Sequence, residues 1–212
     1  MLISKRKKFI FVHVQKTAGT SLQKVLRTHA PDAKLWLGRH GLASDGVAEI
    51  GRERWERYFS FGFVRNPWDR LVSHYSMIRD RIDELAPQER KVARPFKIEL
   101  WNYVLHFSHD FESFLDNCTG LIWDRDCYKS FLFNQLDYLA DDAGELLVDY
   151  VGRFENFGHD ARKVLATIGI EADVPRLNPS SRGDYSQYYT PRTRDLVAER
   201  FARDIEAFGY EF

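Results

Sequence analysis

The stretch that decides the fold is "FVHVQKTAGTSL", residues 11–22. An apolar run stops at Gln15 and Lys16, and small, hydroxyl-bearing residues follow around Gly19. Runs rich in Phe, Ile and Val without polar alternation mark strands buried on both faces, as in parallel sheets. A glycine-bearing turn that feeds a helix aims several backbone N–H groups at one point, where the helix dipole favours an anion. The pattern predicts a strand over residues 8–14, an anion-suited turn, and a helix from about Thr20 to Thr28 with Leu22, Val25 and Leu26 facing the sheet. Gly19 allows either a close approach or an unusual backbone angle. The nucleoside-triphosphate loop G-x-x-x-x-G-K-[ST] carries its lysine after the last glycine and a hydroxyl for magnesium. Here the first glycine is missing and Lys16 precedes Gly19. That order argues against a magnesium-dependent P-loop kinase, which remains the alternative enzyme reading. Taken alone, the stretch also fits a tight strand-to-helix turn with a surface lysine.

A second unit of the same kind follows. Residues 59–64, "FSFGFV", read as a strand running into "RNPWDRLVSHYSMI". Asn66 suits a helix N-cap, Pro67 the first helical position, and Asp69 the positive end of the helix dipole. Arg65 stands at the strand end and Ser73 in the helix. An arginine fork matches a phosphate, and a serine hydroxyl adds a donor; a structural pairing of Arg65 with Asp69 is the competing explanation. Two strand–turn–helix units put two helix N-termini at the carboxyl ends of strands, the edge where open α/β sheets bind ligands.

Outward from these, "KLWL" at 34–37 reads as a short strand ending near His40, and "GRERWERY" as a polar helix. Residues 148–154 read as a late strand before a helix with Phe157, Ala161, Val164, Leu165 and Ile168 inward. Thr190 and Pro191 open a last helix with Val197, Phe201 and Ile205 on one face. The region from about 80 to 135 is charged and aromatic without a clear period, an irregular helical insertion in a single domain spanning 1–212. The basic cluster in "MLISKRKKFIFVHV" reads as a solvated lead-in to the first strand; the apolar run is too short to cross a membrane, so a cytoplasmic protein is expected.

The bulk numbers narrow the class. In 212 residues, 44% hydrophobic and 15% aromatic content supports a packed core and argues against disorder. Lys+Arg and Asp+Glu are both 31, and zero net charge weighs against a nucleic-acid binder. Two cysteines, Cys118 and Cys127, make no disulfide framework. His106 and His109 form H-x-x-H with no evident third ligand, so no metal is expected.

Together the two motifs resemble the sulfotransferases that use 3′-phosphoadenosine-5′-phosphosulfate (PAPS), and more the carbohydrate branch than the steroid and phenol branch. "HVQKTAGTSL" resembles their 5′-phosphosulfate loop and "FVRNPWDRLVSHY" their 3′-phosphate segment; "RFENF", "LNPSSRGDY" and the terminal "FGYEF" fit the same pattern. One departure is Gln15, where such loops often carry proline. The resemblance implies an α/β, P-loop-like three-layer fold with a central, mainly parallel sheet flanked by helices. It implies that Lys16 contacts the 5′-phosphosulfate with Thr17, Ala18, Gly19, Thr20 and Ser21. Arg65 and Ser73 would hold the 3′-phosphate, and Ser181 with Arg182 would close over the nucleotide. The partners implied are the nucleotide donor and a saccharide acceptor. A non-catalytic nucleotide-binding protein on the same fold is the remaining alternative.

Sulfuryl transfer needs positioning and charge stabilisation, as phosphoryl transfer does. Lys16 at the front of the loop suits the oxygen that departs with the phosphate. His40, after the short second strand, is the candidate general base, an imidazole titrating near neutrality; Asp45 and Glu49 are the alternatives. His13, within the first strand, is expected to be buried.

Overall fold

The structure is a computed structural model that describes residues 1–124, 127–129, 131–174 and 183–212, with backbone only for 122–124 and 127–129. The chain forms two compact units, the first from Met1–Asn66 and residues 134–174, the second from Pro67–Phe133 and residues 183–212.

The first unit carries the sheet. It opens with a hairpin, β1 (Leu2–Ser4) antiparallel to β2 (Phe9–Val12), in register Leu2↔Phe11. The basic cluster Lys5–Lys8 is the solvated lead-in expected, here as the hairpin turn that runs into β2; the buried strand before it, β1, was not foreseen. Helix α1 (Gly19–His29), β3 (Lys34–Leu35), α2 (Ala43–Ile50), α3 (Arg52–Trp55) and β4 (Phe59–Val64) follow. Helix α2 was not foreseen, and the expected polar helix is a single turn, set off from α2 by Gly51 at φ 80°.

The second unit begins with α4 (Pro67–Asp83), then α5 (Glu99–Phe107), α6 (Phe111–Asn117) and the hairpin β5 (Ile122–Asp124)–β6 (Cys127–Lys129). The chain returns to the first unit with α7 (Leu136–Leu139), β7 (Tyr150–Arg153) and α8 (Phe157–Thr167). It ends in the second with α9 (Pro191–Arg200) and α10 (Ala202–Phe208).

Among the described residues the main sheet has the order β3-β1-β2-β4-β7. β2, β4 and β7 are parallel, and β1 is antiparallel to both of its neighbours, so four of the five strands point one way. The sequence of β4 explains its central place. Phe59, Phe61 and Phe63 alternate with Ser60, Gly62 and Val64, so the two faces take different partners. The phenylalanine face packs with Phe9 and Phe11 of β2, with Leu22, Val25 and Leu26 of α1, and with Ala161, Val164, Leu165 and Ile168 of α8. On the other face Gly62 leaves room for Leu139 of α7, whose Cδ2 stands 2.4 Å from where a Cβ would be. Gly46 of α2 lies as close to the Trp55 ring. Helices on both faces of a mainly parallel sheet make the expected three-layer α/β fold. Truncating a fully buried side chain such as Leu22 or Phe61 removes about 2–5 kcal/mol.

The second unit is held by aromatic edges. Tyr75 of α4 meets Phe111 and Phe114 of α6 at ring-centre distances of 5.4 Å, and Phe111 meets Tyr189 at 5.0 Å. Trp68 Nε1 donates to the Arg194 carbonyl and Tyr189 Oη to the Trp68 carbonyl. Thr190 and Thr193 cap α9 reciprocally, as the Thr-Pro signal predicts.

Candidate active site

The loop after β2 is built on strained backbone. Lys16 has φ 67° and Ala18 φ 61°, both left-handed, and neither residue is glycine. Such conformations cost about 1–3 kcal/mol each and persist only where the surroundings enforce them. Left-handed residues within a tight turn can aim successive N–H groups at a common point, a geometry that suits an anion, and Lys16 and Ala18 supply two of them. The enforcement is visible. Thr17, fully buried, donates its hydroxyl to the Val14 carbonyl at 3.0 Å, and Ser21 N–H closes onto the Ala18 carbonyl at 3.0 Å. The Thr17 hydroxyl proton therefore serves the loop, and an anion would meet Thr17 through its main-chain N–H.

Gly19 answers a question the sequence left open. Its φ is not positive; what requires glycine is close approach. A Cβ there would lie 2.2 Å from Cδ2 and 2.3 Å from Nε2 of His13. The His13 ring is buried beneath the loop, 4% exposed, as expected. Burial, reinforced by nearby His40 and Arg39, lowers its pKa to about 3, so His13 is neutral at physiological pH.

His40 is tied to the same strand end. Its Nδ1 lies 2.7 Å from the His13 carbonyl, and its ring centre 4.8 Å from that of His13. A carbonyl only accepts, so Nδ1 carries the hydrogen and the neutral ring keeps its lone pair on Nε2. The adjacent Arg39 donates from Nη2 to the Thr20 hydroxyl at 3.1 Å. The segment after β3 is thus bonded to both the strand end and the first turn of α1.

Arg65 is 5% exposed at the end of β4, the parallel neighbour of β2. Its guanidinium lies 3.8 Å from the centre of the Phe154 ring, and Nη1 donates to the Lys16 carbonyl at 3.1 Å. Its main-chain N–H and C=O both bond the Gln135 side chain, at 2.8 and 2.7 Å. The next N–H, of Asn66, donates to Glu155 Oε1 at 2.6 Å.

Lys16, Thr17, Ala18, Gly19, Thr20, Ser21, His40 and Arg65 therefore share the first unit, and the bonds just given connect them. Ser73 is buried on α4 of the second unit. Ser181 and Arg182 lie outside the described residues. Sequence reading passed over Gln135, and Phe154 and Glu155 entered it only within "RFENF". Gln135 lies 70 residues from its partner with no local pattern to mark it, whereas Phe154 and Glu155 follow a strand end that faces the same edge. His106 Nε2 bonds the Ala93 carbonyl, and no group of three or more metal-binding side chains occurs among the described residues. No described helix is long and apolar enough to cross a membrane. Cys118 is free and buried, its thiol pushed up to about 12 by burial.

The chain is similar to known proteins. An uncharacterized protein of Archaeoglobus fulgidus is 25% identical over 138 residues, covering 64% of this chain and 89% of its own. The crystal structure of a sulfotransferase from Alicyclobacillus acidocaldarius aligns over 97% of this chain and 96% of its own at 16% identity, with a TM-score of 0.36, too loose a likeness to bear on individual residues. The model of the sulfotransferase family matches residues 1–211, nearly the whole length. The chain belongs to the sulfotransferase family.

Proposed function

We propose that the chain acts as one PAPS-dependent sulfotransferase domain that moves a sulfuryl group to a hydroxyl of a carbohydrate. The observation that carries this reading is the bond from Arg65 Nη1 to the Lys16 carbonyl. It joins an anion-suited loop to an arginine at the end of the neighbouring parallel strand, as a nucleotide phosphorylated at two positions requires. The saccharide class rests on the sequence resemblance.

PAPS supplies the sulfuryl group on a phosphate that can leave. The amides of Lys16 to Thr20, presented by the left-handed turns and the start of α1, receive its 5′ end together with the Ser21 side chain. In-line transfer breaks the bond from sulfur to the bridging oxygen and forms one to the acceptor oxygen. Lys16 offsets the negative charge that grows on the bridging oxygen, a contribution of about 3–4 kcal/mol to the barrier. His40 takes the acceptor proton on Nε2, the nitrogen opposite the bond to His13. Arg65 holds the 3′-phosphate that distinguishes this donor from ATP; the part given to Ser73 rests on the sequence resemblance alone. Ser181 and Arg182 keep the closing role that the resemblance implies.

Radiolabelled PAPS incubated with a panel of saccharides tests the reading; label should move to at least one of them. Adenosine 3′,5′-bisphosphate should raise Tm well above the shift given by AMP, and equal shifts would remove the 3′-phosphate assignment. His40→Ala should lower transfer about 100-fold or more with bisphosphate binding intact; near-normal transfer would move the base elsewhere.

A further inference from the structure

The hydrogen-bond ladder of the sheet stops where the candidate nucleotide site begins. β4 pairs with β2 as far as Gly62 and with β7 as far as Val64. Arg65 and Asn66 then leave the ladder while still buried, and buried main-chain groups are almost always paired. Gln135 meets that need. Its side chain is fully buried; Oε1 accepts from the Arg65 N–H at 2.8 Å and Nε2 donates to the Arg65 carbonyl at 2.7 Å. One amide thus takes both main-chain groups of one residue, as a further strand would. Glu155 holds the next peptide through the Asn66 N–H.

A planar amide can make both bonds in one orientation only, so the Arg65 backbone is held at a single setting. The guanidinium then starts from a defined place, over Phe154 and against the Lys16 carbonyl. Two-pronged recognition of a phosphate by arginine tolerates little misplacement. Resting on the reading of Arg65 as the 3′-phosphate ligand, we infer that Gln135 is the positioning residue for 3′-phosphate selectivity, acting through Arg65. Its contribution is to the choice between a 3′,5′-bisphosphate and a 5′-monophosphate.

Calorimetric titration of the full chain with adenosine 3′,5′-bisphosphate and with AMP tests this. The wild type should prefer the bisphosphate by about tenfold or more. Gln135→Met, of equal length without the amide, should lower that ratio about fivefold or more, and in an Arg65→Lys background should change it less than about twofold. A folded Gln135→Met with the wild-type ratio, or an undiminished effect in the Arg65→Lys background, overturns the inference and leaves Arg65 as ligand. A wild-type ratio near one overturns the reading of Arg65 itself, and the inference with it. If melting shows Gln135→Met unfolded, Gln135→Glu, which keeps the acceptor for the Arg65 N–H, decides by the same ratio: a fall supports the inference and the wild-type value overturns it.

Discussion

The two strand ends at the edge of the first unit solve the same problem by opposite means. After β2 the chain turns on its own backbone: Lys16 and Ala18 are left-handed, Thr17 bonds back to Val14, and Ser21 closes onto Ala18. After β4 the local backbone contributes little, and distant side chains hold it: Gln135 on Arg65, Glu155 on Asn66, Phe154 under the guanidinium. The first end is a device of consecutive residues and shows in the sequence as a motif. The second is assembled from three chain segments: its arginine shows in a motif, but the side chains that hold it do not show as its partners. The bond from Arg65 to the Lys16 carbonyl joins them, so strain in the local device is partly held by the distant one.

The comparison can be broken most forcefully at Lys16. Lys16→Ala should cut turnover about 100- to 1,000-fold while bisphosphate affinity changes far less, and steady-state kinetics beside calorimetry separate the two. Unchanged turnover would leave the loop as scaffold only.

Gly19→Ala comes next. The added methyl would meet the buried His13 ring at 2.2 Å, so thermal unfolding should show a loss of about 1–3 kcal/mol, with weaker nucleotide binding because the loop must shift. A variant as stable as wild type would mean that the ring moves aside freely. Glycine is required there by contact, not by backbone angle, so no residue larger than glycine should restore it.

The same ring sharpens the comparison through pH. Burial holds His13 near 3 in the folded chain, below its ordinary value of 6.5. Between these values the unfolded state binds the extra proton, so stability should fall as pH drops below about 6.5, by up to about 1.4 kcal/mol per unit. Denaturant titrations across that window should show a shallower slope for His13→Gln. An unaltered slope would assign the acid sensitivity to other groups.

The smallest effect belongs to the distant brace. Phe154→Leu keeps an apolar contact and removes the ring face under Arg65, so bisphosphate affinity should weaken by about 3- to 10-fold with AMP affinity nearly unchanged. A larger loss for AMP than for the bisphosphate would mean that the ring supports the loop after β2 and not Arg65.

How much of this was legible beforehand follows from chain distance. β4 was read at its observed bounds because aromatic residues alternate with small ones between two turn signals. Helix α8 and its inward residues were read from period alone. β1 was missed because three apolar residues before a run of basic ones carry no period; their strand exists only by pairing with β2 and β3. α2 was missed because "ASDGVAEI" carries a glycine that reads as a break, whereas Gly46 is there to admit the Trp55 ring.

By itself the sequence determined what consecutive residues can determine: two strand-to-helix turns, a lysine and an arginine at their mouths, and the apolar stripes of the helices. Backbone angle, helix dipole and side-chain period act over a few residues, so they are written locally. Only the tertiary structure decided that Gly19 answers to His13, that His40 carries its hydrogen on Nδ1, and that Gln135 holds Arg65. Each of these is a contact of a few ångströms between groups brought together when the sheet buries its faces, and it exists once that burial has fixed the chain.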